Sequence, residues 1–358
     1  MMKINLTILS AVKPYQGSGD GMTEYAYRLE KLLPKQMVSI SSRYALSEAK
    51  KDDIPGVIYT QTIFRMKIAS IAKENRDIIH ILNQEVGFAA RILKGRFRGS
   101  TISTINDLSR FDPTTHTGVM QNLYNELVKK NTTETVENSD FLIFISSIVK
   151  KDAEKHFGKI RNCVVINDGV SAEFISKKKV PKKPSSKFKV GYIGSFAHHK
   201  NVMFIAKTAN KIMQEKNITF DIYGKGLEAD AITDYIVTHK LSNTKICGFA
   251  PESEKIKTYD SFDAFIFPSF HEGFGLPILE AQSRGLPVII YKKAHISEEV
   301  RKYCIEAEGP EHAAQIIRDL KENGYNEKER RKATEYARSF TWERTAMETL
   351  GIYKKMLK

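Results

Sequence analysis

The sequence predicts an α/β protein of two domains, each built on a parallel β-sheet with connecting helices. The chain has 358 residues, which is too long for one compact core and suits two domains of ordinary size. Short apolar segments alternate with helix-like segments, an order typical of parallel sheets. Residues 177–189, rich in lysine and proline, have the composition of an exposed linker. We therefore expect domains over 1–176 and 190–342.

The first half has the strand and helix alternation of a Rossmann-like domain. It opens with an apolar strand, 3–9, followed by an amphipathic helix, 22–33. A long helical pattern covers 117–139, and a shorter helix runs through His156. Further strands are predicted at 78–82, 101–105, 141–145 and 163–166.

A glycine-rich loop, 15–23, joins the first strand to the first helix. It holds Gly17, Gly19 and Gly21, and such a loop can bring backbone N–H groups close to a phosphate. Its spacing is not Gly-x-Gly-x-x-Gly, the fingerprint of dinucleotide binding. By itself the loop is weak evidence for a ligand.

The second half opens with the strand Phe188–Ile193 and a loop, 194–201, that reads GSFAHHKN. Another strand, 219–223, runs into the turn 224–226, which reads GKG. Lys225 in this turn could approach a phosphate, or it could be an ordinary turn residue.

The most informative segment is 264–291, which reads AFIFPSFHEGFGLPILEAQSRGLPVIIY. It begins and ends as buried strands, Ala264–Phe267 and Val288–Tyr291, with a helix between them. Pro277 suits the first turn of that helix, and Gly285 suits its C-terminal cap. The loop before the helix therefore lies at the carboxyl end of a parallel strand, where open α/β sheets bind ligands.

Two carboxylates bracket this loop. Glu272 lies within it, and Glu280 follows eight residues later near the start of the helix, so both can reach one cleft from different depths. Gly273 and Gly275 would let backbone N–H groups approach a phosphate. A single glutamate near a helix start is usually only a favourable charge, but the combination favours a binding site.

These residues resemble the Glu-x7-Glu signature of retaining glycosyltransferases of family 4. The resemblance implies the GT-B fold, in which two Rossmann-like domains face a central cleft. It also implies that a C-terminal helix, 343–358, crosses back to pack on the N-terminal domain. The residues that carry the match are Glu272, Gly273, Phe274, Gly275, Leu276, Pro277 and Glu280.

The family implies a reaction as well as a fold. A hexose-type sugar would pass from a nucleotide diphosphate, UDP or GDP, to a hydroxyl acceptor with retention of anomeric configuration. The N-terminal domain would bind the acceptor, a glycan or a lipid-linked molecule, and the C-terminal domain would bind the donor. No resident cofactor is expected, because the nucleotide sugar is itself the substrate. No metal is expected either, because the sequence shows no dedicated metal cluster and the family generally needs none.

The resemblance also assigns roles to single residues. Glu272 would hold the hydroxyls of the transferred sugar, and Glu280 would accept hydrogen bonds from the donor ribose. Lys200 matches the lysine that stabilises the leaving diphosphate. The remaining donor contacts would come from Gly273, Phe274, Gly275, Leu276, Gly194, Gly224, Lys225 and Gly19.

Two departures from the family concern charge and proton transfer. An arginine usually accompanies the lysine, but Ser195 and His199 occupy the candidate positions here. The histidine of a Thr-x-His-Asp motif is replaced by Asn106, which can form hydrogen bonds but cannot titrate near neutral pH. Asn106 therefore stays a candidate catalytic residue without an acid or base role. We expect His80, on the preceding strand, to be a buried or cleft-lining polar group.

The net charge of +14 favours anionic partners. Seven lysines lie in 177–189, and Arg91, Lys94, Arg96 and Arg98 form a second cluster. Both are either solvated surface or contacts to an anionic membrane or a lipid diphosphate. We expect no nucleic acid partner, because nothing resembles a recognition motif.

The expected location is the cytoplasm, either free or peripherally bound at the inner face of the cell membrane. No apolar run approaches the roughly 20 residues that span a bilayer, and the three cysteines match no metal or disulfide spacing. A nucleotide-sugar epimerase or a sugar phosphorylase of the same double fold is the main alternative function. A basic nucleic-acid-binding protein is a weaker one.

Overall fold

The computed structural model describes residues 3–13, 21–46, 59–111, 119–176 and 187–357. The chain divides into two compact units. The first comprises Met1–Gly169 together with Trp342–Lys358, and the second comprises Val170–Thr341. This division precedes the predicted linker, 177–189, most of which lies outside the described residues.

The first unit contains a six-stranded sheet among its described residues. Its strands are β1 Ile4–Val12, β2 Val38–Leu46, β3 Ile78–Ile81, β4 Ser100–Ile105, β5 Phe141–Phe144 and β6 Cys163–Val165. They lie in the order β2-β1-β3-β4-β5-β6, and every neighbouring pair is parallel. Strand β2 was not predicted, because serine and arginine interrupt its apolar residues. It pairs with β1 along its length at the edge of the sheet.

The helices of the first unit follow its strands in the predicted βα order. They are α1 Gly21–Leu32, α2 Arg65–Ile71, α3 Phe88–Leu93, α4 Val119–Asn138 and α5 Ser147–Phe157, with a π-helical turn at Thr60–Phe64 and 3-10 turns at Gln84–Val86 and Ser109–Phe111. Local chemistry sets the ends of α5. The Val149 N–H donates to Ser146 Oγ over 3.3 Å, and Gly158, with φ 76°, ends the helix.

The C-terminal helix, Trp342–Met356, belongs to the first unit, as the sequence predicted. Its Trp342 ring meets Tyr25 edge-on, with 5.9 Å between ring centroids. Thr345 Oγ1 donates to the Asn167 carbonyl over 2.6 Å. Near its end, Tyr353 OH lies 2.7 Å from His80 Nδ1. Aromatic packing and buried hydrogen bonds therefore hold this helix to the N-terminal part of the chain.

The second unit contains its own parallel six-stranded sheet in the part that the structure describes. Its strands are β7 Phe188–Ile193, β8 Ile218–Tyr223, β9 Thr244–Gly248, β10 Ala264–Phe267, β11 Val288–Tyr291 and β12 Ile305–Ala307. Its helices are α6 Ala172–Ser176, α7 Met203–Lys211, α8 Ala229–Thr238, α9 Glu252–Asp260, α10 Leu276–Ser283, α11 Glu298–Arg301, α12 Pro310–Asn323 and α13 Glu327–Arg338, with a 3-10 turn at His198–Lys200.

The strand order of this sheet, β12-β11-β10-β7-β8-β9, reverses direction between β7 and β10. Strands β8 and β9 follow β7 on one side of the sheet, whereas β10, β11 and β12 lie on its other side. Such a reversal leaves a crevice at the carboxyl ends of the two central strands. The loops that follow β7 and β10 are therefore the predicted place for a ligand.

No helix in the described ranges is both long and apolar enough to cross a membrane.

Candidate functional site

The loops after β7 and β10 are joined to each other by hydrogen bonds. The Phe270 N–H donates to the His199 carbonyl over 2.7 Å. Asn201, in the left-handed conformation with φ 52°, donates from Nδ2 to the Pro268 carbonyl over 3.0 Å. These bonds bring the predicted lysine loop, 194–201, against the predicted glutamate loop, 268–276.

Lys200 and Glu272 meet at the junction of these loops. Lys200 Nζ donates to both carboxylate oxygens of Glu272, over 2.7 and 2.8 Å. Glu272 is 8% exposed, and the lysine ammonium also lies 5.8 Å from the centroid of the Phe267 ring. A lysine ammonium has three N–H donors, so one remains for an anionic group beside the carboxylate. The arrangement can therefore hold a phosphate next to a group that binds hydroxyls.

The backbone around Glu272 is tied to the segment that follows β11. Its N–H donates to the His295 carbonyl over 3.0 Å, and the His295 N–H donates to the Phe270 carbonyl over 2.7 Å. These two hydrogen bonds fix the loop backbone at Phe270 and at Glu272, and with it the position from which the Glu272 side chain extends.

Glu280 lies on α10 and is held by the neighbouring helix α9. Lys255 Nζ donates to Glu280 Oε1 over 2.7 Å, and Tyr259 OH donates to Oε2 over 2.8 Å. Burial, followed by the charge of Glu280, raises the pKa of Tyr259 well above its usual value, so the phenol stays a donor. Sequence reasoning missed Lys255 and Tyr259. Their four-residue spacing, which puts them on one helix face, is a signal that could have found them.

The turn around Gly275 explains the start of α10. Gly275 precedes the helix with φ 105°, a conformation that favours glycine, and Pro277 lies in the first turn. Phe274 is buried, with its ring centroid 6.0 Å from that of Phe340. A ligand contact from Phe274 would therefore have to come from its backbone. Gly273 and Leu276, on either side, are half-buried.

Gly194 and Gly224 lie at the carboxyl ends of the adjacent strands β7 and β8. The Gly194 N–H donates to the Tyr223 carbonyl over 3.0 Å. A Cβ atom on Gly224 would overlap the Gly194 carbonyl oxygen, and one on Gly194 would lie 2.5 Å from Tyr192 OH. Close packing of the two loops thus requires glycine at 224, whatever the loops bind, and a side chain at 194 would displace the buried Tyr192 hydroxyl. Lys225, next to them, is exposed over the Phe249 ring, 5.8 Å from its centroid.

Asn106 belongs to the first unit, where it is buried and donates from Nδ2 to the Leu82 carbonyl over 2.9 Å. His80 was expected to be either buried or cleft-lining, and it is fully buried. Its Nε2 lies 2.8 Å from Thr104 Oγ1. Burial lowers the pKa of His80 to about 3, so the ring is neutral near pH 7. Gly19 lies outside the described residues.

The sequence of the second unit has known relatives. Residues 173–340 match the family described as Glycosyl transferases group 1. The O-antigen chain mannosyltransferase B of Escherichia coli is 26% identical over 170 residues, 46% of this chain and 45% of that protein. An uncharacterised glycosyltransferase of Methanocaldococcus jannaschii is 27% identical over 173 residues, 46% of this chain and 44% of that protein. The chain thus spans less than half the length of these curated relatives.

Solved structures resemble the chain over nearly its whole length. A sucrose-phosphate synthase from Thermosynechococcus elongatus has a TM-score of 0.75 at 16% identity, covering 99% of both chains. HepE of Anabaena, crystallised in complex with UDP and glucose, has a TM-score of 0.68 at 14% identity, covering 98% of this chain and 99% of that chain. Together with the two parallel sheets, these likenesses confirm the predicted fold class, two Rossmann-like domains of the GT-B type.

Proposed function

We propose that this protein is a retaining glycosyltransferase of family 4, a proposal supported by the match of residues 173–340 to the family described as Glycosyl transferases group 1. It transfers a hexose-type sugar from a UDP- or GDP-linked donor to a hydroxyl acceptor. The observation that carries the proposal is the Lys200–Glu272 pair, which lies where the strand order of the second sheet reverses. A site for a diphosphate and a site for sugar hydroxyls adjoin at that point.

The chemistry follows from these two groups. The bond between the anomeric carbon and the diphosphate oxygen breaks, and the acceptor oxygen bonds to the same face of the sugar. The acceptor proton passes to the leaving diphosphate. Lys200 stabilises the charge that develops on the leaving group, and Glu272 binds the sugar hydroxyls and stabilises positive character at the anomeric carbon. The proposed reaction calls for no resident cofactor, because the nucleotide sugar is itself the substrate.

The donor nucleotide is assigned to the second unit. HepE, a structural neighbour, binds UDP and glucose, which supports a nucleotide sugar as the donor class. Glu280 accepts hydrogen bonds from the ribose, and the glycine turns after β7 and β8 line the path of the diphosphate. The first unit binds the acceptor, with Asn106 as a hydrogen-bonding group near it.

The acceptor is a glycan or a lipid-linked molecule, reached in the cytoplasm or at the inner face of the cell membrane. The cluster Arg91, Lys94, Arg96 and Arg98 supports an anionic surface as partner, since all four side chains are exposed. Two large apolar side chains of the first unit, Ile63 and Met66, are also exposed, 43% and 70%. Exposed apolar side chains on the same unit would add to binding at a headgroup region.

Incubation with UDP- and GDP-linked hexoses and a set of hydroxyl acceptors tests the proposal. We expect release of the nucleoside diphosphate and a new glycoside whose anomeric configuration, read by NMR, is that of the donor. An epimerase would change the sugar without releasing the nucleotide, and a phosphorylase would require inorganic phosphate. Inversion at the anomeric carbon would contradict retention, and no release from any donor would contradict the glycosyltransferase assignment.

A further inference from the structure

The Glu280 carboxylate is held from one side by two donors of helix α9. Each of its oxygens accepts one hydrogen bond, Oε1 from Lys255 and Oε2 from Tyr259. A carboxylate offers about four acceptor positions, so each oxygen keeps one for another donor. Two neighbouring hydroxyl groups, such as those of a ribose, match this pattern.

Helix α9 is itself rigidly placed. The Tyr259 ring packs between aromatic rings, with centroids 5.5 Å from Phe174 and 5.2 Å from Phe265. The next residue, Asp260, forms a buried bidentate ion pair with Arg284 over 2.8 and 2.7 Å. Because Arg284 directly follows α10, this pair locks α9 to the helix that carries Glu280.

Lys255 is placed to act on Glu280 rather than on solvent. Its side chain is 20% exposed, and its ammonium lies 5.8 Å from the centroid of the Phe174 ring. The carboxylate of Glu252 lies farther from the Lys255 ammonium, at 3.8 Å, than that of Glu280, at 2.7 Å. Lys257, on the same helix, is exposed and provides a natural comparison.

We propose that Lys255 and Tyr259 are positioning residues that orient Glu280 toward the ribose of the donor nucleotide. The inference rests on the proposed function and deepens it by naming what sets nucleotide affinity. Lys255 and Tyr259 occupy the acceptor positions that face α9, so the remaining lone pairs are directed to the ligand. Lys255 and Tyr259 therefore affect the affinity for the donor nucleotide and do not contact the bond that breaks.

The probes are UDP, GDP and their 2′,3′-dideoxy forms, titrated calorimetrically against purified variants. Lys255→Met keeps an unbranched side chain of similar size and removes its charge. It should weaken binding of the preferred nucleotide roughly tenfold, the effect expected if a misoriented Glu280 loses a hydrogen bond to the ribose. It should also shrink the preference for the nucleotide over its dideoxy form. Lys255→Arg should restore most of both, and Lys257→Met, the matched control, should change neither.

Tyr259→Phe keeps the packed ring and removes only the hydroxyl, so it tests the second donor without a cavity. It should also weaken nucleotide binding, with an unchanged preference for UDP over GDP. In steady-state assays, Lys255→Met and Tyr259→Phe should raise the donor KM and leave kcat within about twofold, because the lost contact is shared by ground and transition states.

A double-mutant cycle shows whether Lys255 acts through Glu280. In a Glu280→Gln background, Lys255→Met should add little, because its partner is already altered. Full additivity of the two effects, or a Lys255→Met protein that binds like Lys257→Met, would overturn the inference while leaving the proposed function intact. If the wild-type protein bound neither UDP nor GDP, the donor assignment would fail, and the inference with it.

Discussion

At the scale of single residues, the ion pair between Lys200 and Glu272 combines stability and chemistry. The side chains of the pair are only 19% and 9% exposed, so each depends on the other for compensation of its charge. A donor diphosphate and a sugar hydroxyl would each use one member of this pair. The two roles can be separated by changing the residues singly and together.

We expect Lys200→Met to lower donor turnover roughly 100-fold, because a charge that stabilises the leaving diphosphate is lost. The same change leaves Glu272 buried without its cation, so the melting temperature should also fall. Lys200→Met combined with Glu272→Gln removes both charges and should recover much of the melting temperature, yet turnover should stay low. Lys207→Met, at an exposed position of α7, is the control. Turnover that recovered along with stability would show that the pair is only structural.

Substitution of each of the two glutamates should change a different kinetic parameter. Glu280→Gln should mainly raise the donor KM, because the ribose does not change during the reaction. Glu272→Gln should mainly lower kcat, because a carboxylate near the anomeric carbon contributes more as positive charge develops there. Steady-state kinetics and the melting temperature of each variant, compared with the wild type, test these two roles. Parallel losses of activity and stability in both variants would contradict the separate roles.

At the scale of secondary-structure elements, the C-terminal helix is joined to the first sheet by a buried polar chain. Tyr353 OH contacts His80 Nδ1 at 2.7 Å, and His80 Nε2 contacts Thr104 Oγ1 at 2.8 Å. Thr104 Oγ1 in turn lies 3.4 Å from Tyr25 OH. Because burial holds His80 neutral, this attachment depends on pH.

The folded-state pKa of His80, about 3, lies below the value of about 6.5 for an unfolded histidine, so protons favour the unfolded chain. This contribution to stability is complete above about pH 6.5 and falls as the pH is lowered toward 3. Between pH 7 and pH 5 the loss is about 2 kcal/mol.

His80→Gln should therefore lower the melting temperature at pH 7 but show a smaller further decrease at pH 5 than the wild type. Asp168, whose pKa burial raises to about 8, has the opposite dependence and is common to both proteins, so it cancels. Melting curves at both pH values test the expectation. Equal decreases in the two proteins would show that His80 is not the group responsible.

At the scale of the whole molecule, the charge of +14 is large for a protein whose proposed donor is a small anion. A diphosphate needs few cations, whereas a membrane with anionic lipids attracts each basic residue near its surface. The exposed basic cluster of the first unit therefore provides the test of the proposed contact with an anionic membrane.

The protein should sediment with vesicles that contain phosphatidylglycerol, bind less to phosphatidylcholine alone, and be released by salt, since screening acts over roughly 8 Å at physiological ionic strength. Arg96→Glu with Arg98→Glu should reduce this binding. Lys328→Glu with Arg331→Glu, an equal change at exposed positions of α13, should reduce it less. Equal binding to both kinds of vesicle, or no binding to the anionic one, would favour an acceptor away from the membrane.

Much of the architecture could be read from the sequence, because its signals are local. Apolar runs of strand length located β10 and β11, and Pro277 and Gly285 marked the ends of the helix between them. The same patterns placed the lysine and glutamate loops at the carboxyl ends of strands. Edge strand β2 was missed because its pairing with β1, rather than its own apolar pattern, makes it a strand.

By itself the sequence determined the fold class, most of the strands and the segments that carry Lys200, Glu272 and Glu280. Only the tertiary structure decided which side chains meet, because such contacts depend on strand order and on neighbouring helices. Lys200 reaches Glu272 across 72 positions, and His80 reaches Tyr353 across 273. The hold of α9 on Glu280 likewise exists only once α9 and α10 are packed side by side.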